Sequence, residues 1–256
     1  MARPRRSTNS SFDPESADDS GLVAVGGDLR PERLLEAYRR GIFPWYDESY
    51  PVCWWSPDPR AVIEPAGLHV SRRLARTIRS GRFAVTINRD FAGVIRGCAD
   101  RPTEGTWIVP DMIDAYERLH QLGVARSVEV WRGGELAGGL YGVALGGFFA
   151  GESMFHRVRD ASKVALAHLV ARLRVGGYTL LDTQFLTAHL ASLGAVEIDR
   201  QAYMARLAAA LDVVGDFGAL DGFAAAGVLD AGALPTTTVS GPISGKRIVQ
   251  LLTQTS

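Results

Sequence analysis

The spacing of apolar residues changes along this chain, and the changes mark out its elements. Between Gly21 and Pro59, Leu34, Leu35 and Tyr38 recur on one side of a segment with Pro31 in its first turn and Gly41 as its stop, which predicts a helix. Around it Pro44, Pro51, Pro57 and Pro59 break the chain into turns. Between those prolines Trp45, Tyr46, Tyr50, Trp54 and Trp55 crowd into eleven residues. About half of these rings are expected in a small core, and flat rings on a proline-stiffened loop also make a stacking surface for a nucleobase. From Ser127 the strand pattern takes over: "SVEVWR", a Gly133-Gly134 turn, "ELAGGLYGVALG" and "GFFAGESMF" predict a three-strand antiparallel meander. Helical spacing returns in "DASKVALAHLVARLRVGG", followed by the strand "YTLLDTQF", the helix "LTAHLASLG", a short "VEI" and a last helix from Arg200 to Leu211. Gly138, Gly139, Gly142, Gly146 and Gly147 are heavy for strands and point to bulges or to close approach of a ligand.

This order is an α/β (α+β) pattern in two regions. The smaller region, 21–62, carries one clear helix among turns and aromatic residues, and the larger, 63–213, carries the meander, helix, strand, helix, strand order. Residues 1–20 read as a disordered leader, and residues 214–256 as a loosely attached tail with one short helix near "GKRIVQLL". With 256 residues and 46% hydrophobic content the chain is long enough for one good core or two modest ones. No run approaches the roughly 18 consecutive apolar residues of a transmembrane helix, so a soluble protein is expected. The leader starts basic, lacks an apolar stretch and turns acidic at Asp13, Glu15, Asp18 and Asp19, which disfavours a signal peptide. Cys53 and Cys98 are accordingly expected as reduced cytosolic thiols without a chemical role.

Charge sharpens the picture. The 28 basic and 28 acidic residues balance overall, yet between Ser71 and Arg101 eight arginines face two acids, a local net charge of +6. In "SRRLARTIRSG" Ser71 caps and Gly81 ends a predicted helix on which Arg72, Arg76 and Arg79 share one side while Leu74 and Ile78 take the other. A solvated helix face is the plain reading. The lack of acids on the helix strengthens the case for a polyanion beside that reading, because arginine forks fit phosphate and each contact releases counterions.

Candidate chemistry lies on the strands. Glu152 stands at the end of a run so apolar that a carboxylate there needs a partner or a purpose. Asp182 and Gln184, two apart in "LLDTQF", are expected to project from one strand face. A structural ion pair, or a carboxylate bonded to backbone amides, is the alternative for each acid. The five histidines, His69, His120, His156, His168 and His189, show no metal-ligand spacing or nucleophile pattern. "RVGGYT" only approximates the loop that grips the pyrophosphate of acetyl coenzyme A.

At these residues the chain resembles the bacterial leucyl/phenylalanyl-tRNA protein transferases. "GGDLRPERLLEAYRRGIFPW", "WWSPDPR", "TWI", "GGLYGVA", "GESMF", "ASK", "LDTQF" and "HLASLGA" fall in that family's order and spacing over about Gly21 to Leu207. The resemblance implies a small N-terminal domain on an acetyltransferase (GNAT)-like catalytic domain. It also implies an aminoacyltransferase that moves Leu or Phe from Leu-tRNA or Phe-tRNA to proteins whose first residue is Arg or Lys, marking them for N-degron degradation in the cytoplasm. By the same resemblance Glu152 attracts the acceptor's cationic side chain, and Asp182 and Gln184 stand at the reacting centre. Trp45 and Trp107 hold the terminal adenosine with Tyr38 nearby, while Leu140, Phe149 and Met154 line the pocket for the transferred side chain. Arg72, Arg73, Arg76 and Arg79 touch tRNA phosphates. No cofactor, metal or membrane is implied, and a monomer is expected. An acetyl coenzyme A-dependent acetyltransferase and a non-catalytic tRNA-binding module are the competing readings.

Overall fold

The computed structural model describes residues 12–101, 105–222 and 243–253, and its strands form two sheets. The smaller has the order β1-β3-β2, from β1 (Leu22–Val25), β2 (Phe43–Pro44) and β3 (Cys53–Trp55). The larger runs β10-β4-β9-β8-β7-β6-β5. Its strands are β4 (Arg60–Ile63), β5 (Ala84–Ile87), β6 (Ala125–Arg132), β7 (Glu135–Leu145), β8 (Phe148–His156), β9 (Leu180–Gln184) and β10 (Val196–Ile198). The predicted meander is β6 to β8; β4 and β5 extend the sheet on either side. All its pairs are antiparallel except β8 with β9.

Alternation along β7 and β8 divides the apolar residues between the two faces of this sheet. Leu140 and Phe149 join one core with α2 (Arg72–Arg79) and α5 (Ala161–Val175). Tyr141 and Phe148 join the other with α1 (Pro31–Arg39), α3 (Phe91–Ala99), α4 (Pro110–Gln121) and α7 (Arg200–Leu211). A four-residue helix, α6 (Ala188–Ala191), follows β9. The helix signals act as expected: Pro31 opens α1, and the Ser71 hydroxyl accepts from the Leu74 amide at the start of α2.

Both chain ends differ from expectation. Residues 1–11 lie outside the described residues, but 12–20 are not a disordered leader: Phe12 is buried with its ring centroid 4.7 Å from that of Trp54, and Pro14–Ser16 form a 3-10 turn capped by Asp13. The tail is not loosely attached where it is described. Phe217 stacks on Phe149, and Asp221 pairs with Arg172, a buried α5 cation that needs an anion there. A last helix, α8 (Gly245–Thr253), buries Ile248, Val249 and Leu252 in the core that includes α2 and α5. Residues 223–242 and 254–256 of that tail lie outside the described residues.

Candidate active site

The site forms where the two parallel strands part. Pairing of β8 with β9 ends at Ala150 and Asp182; β8 continues to His156 while β9 stops at Gln184. A cavity of about 340 Å³ occupies the divergence, walled by Leu140, Met154, Leu166, Leu169, Leu181 and Leu190. Trp45, 42% exposed, and Phe185, 43% exposed, stand at its rim with centroids 5.9 Å apart, and Trp107 and Arg101 complete that side. Trp55 fixes the platform by donating to the Trp45 carbonyl at 2.6 Å.

A β-bulge aims Glu152 into this cavity. Tyr141 pairs with Ser153 and Gly142 with Gly151, which leaves Glu152 as the extra residue. Only glycine fits at 142, since a Cβ there would stand 2.2 Å from the Ala150 carbonyl oxygen. The part-buried carboxylate accepts from the Tyr38 hydroxyl at 2.7 Å and the Tyr116 hydroxyl at 3.0 Å, and these phenols also touch each other. Burial, and then the neighbouring carboxylate, push both phenols well above their ordinary range, so they stay protonated and donate. Among the described residues Glu152 has no cationic ion-pair partner. Burial raises its pKa to about 7 against the pull of the two phenols. Such a carboxylate favours a cationic ligand.

Asp182 and Gln184 meet different surroundings, contrary to the expected shared face. Alternation holds only for extended backbone, and Gln184 ends β9 with φ +59°. Asp182 is fully buried and does not line the cavity. It accepts from Arg60 Nε at 2.9 Å and Nη2 at 2.7 Å, from the Tyr203 hydroxyl at 2.9 Å and from the Gln184 amide at 2.9 Å. The Arg60 guanidinium lies over the Phe43 and Tyr203 rings, at 4.7 and 4.5 Å. Burial alone would lower its pKa, but Asp182 more than offsets this and holds it above the ordinary range. This cluster pins the unusual backbone at Gln184, whose buried side-chain nitrogen has no hydrogen-bond partner among the described residues and whose residue lines the cavity.

The other expected positions divide. Trp45, Trp107, Leu140 and Met154 line the cavity with Glu152 and Gln184; Tyr38 acts from behind Glu152. Phe149 does not line it: the ring is fully buried, packed on Phe217. Of the arginines, Arg72, Arg76 and Arg79 are exposed and without an ion pair among the described residues, whereas Arg73 is held by Asp160 at 2.9 Å. Sequence reasoning missed Arg60, Tyr116 and Tyr203. Arg60 had a signal, a lone cation opening the apolar strand "RAVI"; the two tyrosines had none. Among the described residues no cluster of three His, Cys, Asp or Glu is placed to hold a metal, and no helix is long and apolar enough to cross a membrane.

A carboxylate without a cationic ion-pair partner and a side-chain amide nitrogen without a hydrogen bond, both among the described residues, meet at a leucine-walled cavity, and comparison with known proteins gives the class. The sequence pattern of the leucyl/phenylalanyl-tRNA protein transferases matches residues 62–208, and that of their N-terminal domain matches 27–58. The leucyl/phenylalanyl-tRNA--protein transferase of Solidesulfovibrio magneticus is 57% identical over 80% of this chain and 84% of its own. That of Anaeromyxobacter sp. is 60% identical over 78% of this chain and 86% of its own. Among solved structures, a GCN5-related N-acetyltransferase from Kribbella flavida is 13% identical with a TM-score of 0.37, over 65% of this chain and 60% of that one. The chain belongs to the leucyl/phenylalanyl-tRNA protein transferase family. It is an aminoacyltransferase, of mixed helix and sheet with a small N-terminal region before the larger domain.

Proposed function

We propose that this protein transfers Leu or Phe from aminoacyl-tRNA to the α-amine of proteins that begin with Arg or Lys, marking them for N-degron degradation in the cytoplasm. The observation that carries the reading is Glu152. A carboxylate held by two phenols, with no cationic ion-pair partner among the described residues, stands at a cavity walled by leucines and methionine. The apolar wall takes the donor's Leu or Phe side chain, and Met154 adapts to either shape. Trp45 and Trp107 hold the terminal adenosine, and Arg72, Arg76 and Arg79, without an ion pair among the described residues, take tRNA phosphates. Glu152 receives the acceptor's guanidinium or ammonium and so orients its α-amine.

The reaction asks little more than positioning. The α-amine, with a reference pKa near 8, attacks the ester carbonyl; the C–N bond forms, the C–O bond to the tRNA ribose breaks, and the amine's proton ends on the ribose oxygen. The tRNA's neighbouring 2′-hydroxyl relays that proton. Gln184 Nε2, buried and without a partner among the described residues, donates to the ester oxygen as charge develops there. Asp182 and Arg60 are positioning residues that fix Gln184 through its backbone. Incubation with radiolabelled Leu-tRNA and an Arg-initiated peptide should give labelled peptide. Label that reaches the peptide from radiolabelled acetyl coenzyme A, with none from Leu-tRNA, would favour the acetyltransferase reading.

A further inference from the structure

We propose that a basic hollow beside the cavity holds the phosphodiester backbone of the donor's single-stranded 3′ end; the proposal rests on the aminoacyl-tRNA reading above. This hollow, of about 390 Å³, lies where the first residues of α2 and α5 meet the end of β8. It shares His189 with the aminoacyl cavity, and Arg73 makes it continuous with the basic helix α2. A donor strand running from α2 to the cavity therefore crosses it. Neither the cavity's apolar wall nor the α2 face accounts for the residues found there.

Its chemistry suits phosphate. Arg73, Arg159 and Lys163 face a single anion, Asp160, and His156 and His189 add two imidazoles. Asp160 is already committed: Arg73 donates to its oxygens at 2.9 and 3.1 Å and Arg82 at 3.4 Å. Burial would raise its pKa, yet these arginines hold it below the ordinary range, so it stays ionised and spoken for. Arg159 and Lys163 make no ion pair among the described residues. Nearly buried Ser162 places its hydroxyl 3.4 Å from His156 Nδ1, and α5 begins without a side-chain cap, leaving donors on this side.

Three donors and three variants test the proposal. The donors are leucyl-adenosine, which has no phosphate, a leucylated CCA trinucleotide, and full Leu-tRNA. For Arg159→Gln/Lys163→Gln, KM should rise roughly tenfold with the trinucleotide and with tRNA, and the log-log salt slope should flatten by about one unit. Leucyl-adenosine should be used as by the wild type, with an unchanged melting temperature. Arg159→Gln alone should show the same pattern at about half the salt effect. By contrast, Arg72→Gln/Arg76→Gln/Arg79→Gln should raise KM for tRNA only. Equal use of the trinucleotide by wild type and double variant, or an equal loss with leucyl-adenosine, would overturn the proposal while leaving the transfer reading intact. A wild type that transfers from none of the three donors removes both.

Discussion

Glu152→Gln should stabilise the protein at alkaline pH while disabling it. Burial lifts the Glu152 pKa from 4.5 to about 7, so the native state holds its proton more tightly than the unfolded chain does. Stability from this group is full below about pH 4.5 and is lost as pH rises through about 7. At ~1.36 kcal/mol per pH unit the loss amounts to about 3 kcal/mol. Glutamine keeps the shape and escapes the charge. It offers one carbonyl oxygen where Tyr38 and Tyr116 both donate, which costs about 1 kcal/mol. The variant should therefore lead by about 2 kcal/mol at pH 8 and lie within about 1 kcal/mol of the wild type at pH 5. Urea unfolding at pH 5, 7 and 8, with equal m-values, measures both differences. At the same time kcat/KM for Arg-initiated peptides should fall roughly 10- to 100-fold, the worth of a desolvated carboxylate–guanidinium contact. Stability differences that stay constant from pH 5 to 8 would refute the reasoning, because Glu152 would then titrate alike in both states.

Other perturbations separate the remaining roles. Below pH 7 both Glu152 and the acceptor amine must lose a proton, so log kcat/KM should climb with a slope near two in the wild type and near one in Glu152→Gln; equal slopes would detach Glu152 from the acceptor. Asp182→Ala leaves Arg60 buried without its counter-ion and should cost about 3–5 kcal/mol in thermal or urea unfolding, whereas Gln184→Ala should keep its melting temperature and lose kcat. Well-folded, fully active Gln184→Ala protein would remove that residue from the reacting centre. Arg72→Gln/Arg76→Gln/Arg79→Gln should flatten the salt dependence of KM for aminoacyl-tRNA by up to about one unit per phosphate contact removed; an unchanged slope would make α2 a solvated face.

Local pattern made most of the fold legible. Pro31 and Gly41 bound α1, Ser71 caps α2, and the glycine turns separate β6, β7 and β8, because each depends on residues close in sequence. Glu152 stood out for the same reason, a charge in an apolar strand. What escaped is long-range. Arg60 on β4 meets Asp182 on β9 across 122 positions, and Tyr116 on α4 reaches Glu152 on β8 across 36. No local pattern encodes such pairings. The Asp182–Gln184 error has a single physical cause: one residue in the left-handed region breaks the two-residue alternation. The ends were misread because Phe12 and Phe217 find partners, Trp54 and Phe149, that composition alone does not reveal.

The most direct test of the central claim uses one donor and peptides that differ only at the first residue. Purified protein, radiolabelled Leu-tRNA and peptides beginning with Arg, Lys, Ala or N-acetylated Arg should give label on the first two alone, with Glu152→Gln losing that preference. Equal labelling of the Arg and Ala peptides by the wild type, or none of either, would contradict the account.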